Sequence, residues 1–544
     1  MDIERMKEER DYEGLIEALD ARDATVRAEA AKALGRIAEK GEARAVVEAG
    51  AVPKLVKCLD DENEDVRGYA TVALGWFAEG GEARALVEAG AVPKLVECLD
   101  DANEDVRGSA AFALRRIAER GNARAVVEAG AVPKLVKCLH DEKEDVRWNA
   151  AFALGWIAER GNARAVVEAG AVPKLVKCID DEDAWVRRNA TGALGWIAYG
   201  GEARALVEAG AVPKLVKCID DADNNVRGYA TVALGGIAYG GEARALVEAG
   251  AVPKLVECLD DEKDGERWTA AQALGWIAEG GEARAVVEAG AVPKLVKCLH
   301  ADRYVRGKVA WTLGCIAEKG YARAVVEAGA VPKLVKCLED ENKDMRRMAA
   351  FGLGRIAEKG TARVVVATGA VPKLVECLSD TDRYVRWTAA QALGCIAEKG
   401  YARAVVEAGA VPKLVKCLED ENKDVRRMAA FGLGRIAEKG AARVVVEAGA
   451  VPKLVECLRD VDEDVRWAAE DALRWIFREF AESVENELAR LRASEIDLSE
   501  MERMLAELKA SIEQNNLSGA WKIVKKLEAE LNRIKGEDKA RKQS

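Results

Sequence analysis

Thirteen cysteines and two histidines have the widest chemical reach in this sequence: thiolates attack, oxidise and hold metals, and imidazoles move protons. Their spacing points away from all of these. Eleven cysteines occupy one position of a recurring phrase: Cys58, Cys98, Cys138, Cys178, Cys218, Cys258, Cys298, Cys337, Cys377, Cys417 and Cys457. Each follows a leucine by three residues and precedes Leu or Ile, which is the apolar stripe of a helix, so they are expected to be buried, reduced and inert. Helices packed about 8–10 Å apart hold such positions beyond the roughly 7 Å Cα separation of a disulfide. No Cys-x-x-Cys occurs, and His140 and His300 lie far apart. With no Ser-His-Asp set, metal cluster or cofactor fingerprint, the expectation is no enzyme, no cofactor and no metal. Cys315 and Cys395 fall at a different position, on a variable helix face, where labelling by thiol reagents is expected.

The elements that position these side chains come from one unit written eleven times. The phrase Glu88-Ala89-Gly90-Ala91-Val92-Pro93-Lys94-Leu95-Val96 recurs almost unchanged, and all eleven prolines sit in it, from Pro53 to Pro452. The period is 40 residues, with one step of 39 between Pro293 and Pro332. Such a period implies stacked helical units sharing a continuous core. In the copy Gly81–Arg120, a short helix over 82–89 ends at Gly90, Pro93 opens a second, and acidic residues start a third. The third is expected to run to about Glu119 and bury Val106, Ala110, Leu114, Ile117 and Ala118.

Three helices in 40 residues with this wording resemble the armadillo repeat, in the Glu-Ala-Gly-Ala-Val-Pro-x-Leu-Val segment and the later Ala-x-x-Ala-Leu-x-x-Ile-Ala segment. The Val-Arg pair opening the third helix (Val66-Arg67, Val106-Arg107) is similar to HEAT repeats. The resemblance implies an all-α fold: a right-handed α-solenoid of armadillo/HEAT-type helical repeats with a C-terminal helical hairpin. Residues 1–40 read as a HEAT-like N-terminal capping repeat, 41–478 as the eleven repeats, and 479–535 as a hairpin that caps, docks or self-associates. Residues 536–544 read as a disordered tail.

The near-identity of the copies isolates the positions that vary. Lys54 and its ten counterparts are expected to be exposed and unconstrained, yet all remain Lys. Four third-helix positions change against that background. The first carries Trp148, Arg188, Trp268, Arg347, Trp387, Arg427 and Trp467, and the next carries Tyr69 and Tyr229. The third carries Phe112, Phe152, Trp311, Phe351 and Phe431, and the last Trp76, Arg116, Trp156, Trp196, Trp276, Arg355 and Arg435. Trp185 joins them one turn earlier. Offsets of 0, 1, 4 and 8 span about 100° of helix, opposite the buried stripe. In an armadillo array the third helix lines the concave groove, so these residues form the expected partner-binding face. Trp, Tyr and Arg are the residues that dominate binding hot spots. Packing alone would select one size at each position, whereas Trp, Arg, Gly and Cys interchange. Armadillo proteins that hold extended peptides resemble one another in an Asn at the position of Trp76, Arg116 and Trp156; none of the copies has it, which favours a helix or folded surface as ligand.

A net charge of −11 disfavours nucleic acid, and no stretch approaches 18 uninterrupted apolar residues. The chain therefore reads as a cytoplasmic, non-catalytic protein-binding scaffold with no membrane partner. A modular nucleic-acid binder using the same positions, or a purely structural or designed repeat scaffold, are the alternatives.

Overall fold

Most third helices begin at a side-chain cap; those after Lys143 and Lys263 do not. In the second copy, Asp101 accepts the backbone N–H of Asn103 (2.9 Å), and Asn103 accepts those of Asp105 (2.9 Å) and Val106 (3.2 Å). A cap of this kind is worth about 1 kcal/mol. The helix it opens, Glu104–Ile117, buries Val106, Ala110, Leu114 and Ile117 completely. Before it lie a first helix, Ala83–Glu88, and a second, Ala91–Cys98. Gly81 (φ 100°) and Gly90 (φ 73°) make the turns between helices, in the left-handed region where a side chain is strained. Pro93 is third in its helix, still within the first turn, where no N–H partner is lost.

The computed structural model describes residues 2–492 and 497–543, with side chains up to Ile534, and every described element is helical. The fold is an all-α solenoid. The chain forms two units, Met1–Ala285 and Val286–Ser544. In the first, the third helices from Ala24–Ile37 to Asp264–Ile277 pack side by side in chain order; in the second, those from Arg303–Ile316 to Glu463–Leu491 do the same. The mid-helix glycines allow this approach. A Cβ on Gly155 would stand 3.2 Å from the Ala193 Cα, and one on Gly434 only 3.0 Å from that of Ala472.

A polar clamp joins successive copies. Arg67 places Nε 2.7 Å from one oxygen of Asp101 and a terminal nitrogen 2.9 Å from the other. Its remaining nitrogen donates to the carbonyls of Asp61 (2.8 Å) and Glu62 (3.1 Å). Arg27, Arg107, Arg147 and Arg187 repeat the clamp in the first unit, and Arg346, Arg386 and Arg426 in the second. The conserved lysine is not unconstrained either: Lys94 reaches back to Asp60 (3.0 Å), and Lys134 to Asp100 (2.8 Å) and the Val96 carbonyl (3.0 Å). These bonds hold the lysine in place, so its constancy is no measure of slow drift.

The N-terminal segment has three helices, Ile3–Glu9, Tyr12–Ala18 and Ala24–Ile37, the first beyond the two expected. At the other end the last third helix runs on to Leu491, and Ser499–Glu513 and Leu517–Gln543 form a hairpin that packs back on it. The expected tail is corrected over 536–543. Nothing after Gly536 breaks a helix, so the chain continues helical to Gln543. Ser544 lies outside the described residues.

Candidate functional site

The variable positions lie on the third helices as expected, but most of their side chains are half-buried. They pack first on one another. The Trp76 ring meets Phe112 edge-on (5.6 Å), Phe152 meets Trp156 (6.1 Å), and Trp148 meets Trp185 of the next copy (6.2 Å). Trp196 lies against Gly155, Lys32 stands over Tyr69 (4.9 Å), and Lys308 over Trp311 (5.6 Å). Trp268 and Trp387 are half-buried. Size differences are partly compensated between copies. Tyr229 stands at contact distance from where a Cβ on Gly192 would be (3.5 Å), and Tyr199 crowds that place at Gly236 (3.1 Å). The swapping of Trp, Gly and Cys therefore includes a packing component, contrary to the one-size argument.

The arginines of the face are engaged. Arg116 sits 2.8 Å from both Glu79 and Glu119, Arg355 3.4 Å from Glu318 and 2.9 Å from Glu358, and Arg435 pairs with Glu438 and Asp471. Each also covers the phenyl ring one turn earlier, on Phe112, Phe351 or Phe431, at 5.3–5.4 Å. Arg427 approaches Asp424 (3.5 Å) and Asp464 (3.8 Å), and Arg347 approaches Asp344 (3.3 Å) and the Tyr384 ring (5.7 Å).

Both odd cysteines are buried, Cys315 at 3% and Cys395 at 7% exposure. Phe351 and Phe431 of the following copies lie over the adjacent Gly314 and Gly394 and close off this part of the face. Burial pushes the Cys395 thiol up to about 12, so ready labelling is not expected of it. The repeated cysteines are buried as read, except Cys258, which is half-buried. There the second helix stops at Glu257 and tightens over Cys258–Asp260.

Two clusters remain open to solvent. Arg188 lies between the rings of Trp185 (4.9 Å) and Tyr229 (5.7 Å), and Trp185 is 57% exposed. Tyr199, Tyr239 and Trp276 form the second, with centroids 5.9 and 4.7 Å apart and Tyr239 54% exposed. Tyr304, Tyr384 and Trp467 are exposed singly. The sequence reading missed Tyr199 and Tyr239, which replace a Glu found at the end of most third helices. It also missed Arg115, which replaces the mid-helix glycine. Arg115 is buried among Phe112, Trp148 and Phe152 at 4.9–5.3 Å, and its burial lowers the guanidinium to about 10. Both departures were visible as breaks in an otherwise constant column. Among the described residues no group of His, Cys, Asp or Glu is gathered for a metal, and no helix is long and apolar enough to cross a membrane.

A family model of HEAT repeats matches the chain in overlapping blocks from residues 12–115 to 411–494. Among solved structures, an engineered protein is 36% identical, with a TM-score of 0.62, over 71% of this chain and 98% of its own. A designed armadillo repeat protein, also 36% identical, is matched over 41% of this chain and 98% of its own, with a TM-score of 0.39. No curated protein matches the sequence.

Proposed function

Because this chain belongs to the HEAT repeat family, we propose that it is a non-catalytic scaffold that recognises a protein partner through the variable face of its third helices. One observation carries this reading. The exposed large aromatic side chains among the described residues, Trp185, Tyr239, Tyr304, Tyr384 and Trp467, all stand on a third helix or its closing turn. Exposing such rings costs solvation free energy, and rings clustered beside an arginine are the typical centre of a protein interface. Half-buried neighbours such as Trp148 and Trp276 hold them in place.

The partner offers a helix or folded surface. The position of the peptide-reading amide is filled by Trp156, Trp196 and by Arg116, whose donors already serve Glu79 and Glu119. Nucleic acid is disfavoured by the net charge and by the pairing of these arginines. The hairpin serves as a cap, since Leu505, Leu508, Leu527 and Ile534 are spent within the chain.

The test compares the chain with a Trp185→Ala/Tyr239→Ala double variant. Exposed rings contribute little to folding, so melting should not change, while a partner should lose about 2 kcal/mol of affinity per ring. A variant that melts normally and retains the same proteins from a lysate would sink the reading. If the retained material is nucleic acid released by salt, the nucleic-acid alternative replaces it.

A further inference from the structure

The eleventh copy has no successor, and the inner copies record what a successor supplies. Arg426, in the tenth copy, is held by the carbonyls of Asp420 (2.8 Å) and Glu421 (3.1 Å) and grips both carboxylate oxygens of Asp460 (2.7 and 2.8 Å). Arg466 is held in the same way, by the carbonyls of Asp460 (2.8 Å) and Val461 (3.1 Å). The side of its guanidinium that grips a carboxylate elsewhere has no acidic partner among the described residues. Beside it Trp467 is 68% exposed and Val461 95%, whereas Trp148, the same position in the third copy, is half-buried against Trp185. Leu458 is half-buried where Leu418 is 3% exposed. The hairpin covers only the later turns of this helix, where Asn515 meets Glu470 and Arg474.

We propose that this edge of the last repeat is a docking site for an acidic helix start of another protein, whose carboxylate takes the fork of Arg466 and whose apolar side chain covers Trp467. The inner interfaces define the ligand's chemistry. Most successors present an Asp and, five residues later, a valine, as in Asp101–Val106 and Asp141–Val146, where the valine lies over the position equivalent to Trp467. For Asp141 and Val146, the valine methyl stands 3.6 Å from where a Cβ on Gly108 would be. A planar fork fixed by two backbone carbonyls forms a bidentate pair with little further ordering cost. A second copy of this chain is a poor occupant: its N-terminal segment offers Ala21 where the repeats carry Asp61 or Asp101, and the helix Ile3–Glu9 packs over Ala24–Ile37. This site is independent of the two aromatic clusters and stands or falls separately.

The probe is a fluorescein-labelled synthetic peptide with the sequence of residues 418–437, which carries Asp420 and Val425 in successor spacing. It is titrated against the full chain by anisotropy. Saturable binding that weakens with salt is expected, with a loss of about tenfold or more for Arg466→Gln, for Trp467→Ala, and for the peptide bearing Asp420→Asn. Trp467 is exposed, so its variant should fold normally even if Arg466→Gln loosens the loop. The Trp185→Ala/Tyr239→Ala variant should bind the peptide as well as the unaltered chain. No saturable binding at millimolar peptide, or equal affinity for the Trp467→Ala variant, overturns the proposal. Concentration-dependent dimerisation of the chain that Arg466→Gln abolishes would also overturn it, by making a second copy the occupant.

Discussion

Glu266 stands where the other copies have Val or, once, Met345, and it changes the local chemistry of its copy. Its counterparts Val226 and Val186 are completely buried. Burial, followed by a hydrogen bond shared with Asp261, holds the Glu266 carboxyl above the usual range. Asp261 lies below its own, chiefly because it accepts the Lys263 N–H. The Arg227 clamp is lost as well: its guanidinium stands 3.6 Å from Glu266 and bonds Asn224. A carboxyl whose folded pKa is raised stays protonated in the fold after the unfolded chain has ionised. Its contribution is complete below about pH 4.3, the unfolded value, and is lost as pH rises through the folded one. Glu266→Val should therefore raise stability at pH 7 by about 1–3 kcal/mol, and by less at pH 4. Urea denaturation at both pH values checks this, and an equal gain at both would remove the protonation argument. The clamped carboxylates have the opposite sign. Asp61, hydrogen-bonded by Arg27, and Asp460, hydrogen-bonded by Arg426, lie below the usual range. Their contribution is present above about pH 3.9 and lost as pH falls through the folded values.

At the scale of the element, glycine in a third helix has two meanings, and the same substitution separates them. A Cβ on Gly434 would meet the Ala472 backbone at 3.0 Å, so Gly434→Ala must push two helices apart and should cost about 1–3 kcal/mol. Gly228 and Gly307 have nothing within 4 Å of an added Cβ, and Ala there should instead gain up to about 1 kcal/mol from helix propensity. Thermal melts of the three single variants decide it; the same sign at all three would show that helix approach is not what retains glycine. This feature was legible in the sequence because the glycine recurs in most copies at a fixed cost. Helix starts and ends were legible for a similar reason, since caps and left-handed glycines act within a few residues. Features that depend on a residue one copy away were not. The placement of Cys315 and Cys395 treated a helix as isolated, whereas Phe351 and Phe431 from the next copy cover that part of the face. The lysine column was misread because its partners, Asp60 for Lys94 and Asp180 for Lys214, lie 34 residues earlier.

For the molecule as a whole, stability is close to a sum over repeats and their interfaces, so the ends matter disproportionately. In the first unit, Ala24–Ile37 covers Glu64–Phe77, Gly35 lies 3.2 Å from the Ala73 backbone by its absent Cβ, and Arg27 grips Asp61. Removing residues 1–40 should bare Val66, Ala70 and Leu74 and give fraying or aggregation, seen as a lower melting temperature and early elution in size-exclusion chromatography. A truncated chain that melts and elutes like the full one would show that this segment caps nothing. The clamp itself has a further consequence for assembly. Wherever the clamp forms, the Arg presents the same fork, and the Asp of the next copy the same carboxylate, at the same 2.6–2.9 Å. Such a joint carries no address: it tells a repeat that some repeat must follow, not which one. At the clamp, order is enforced by the 34 residues of chain that separate Arg from Asp, and that tether weakens as other chains crowd in. Refolding from denaturant is therefore a contest between the covalent neighbour and its near-identical copies on other molecules, and its yield should fall as protein concentration rises.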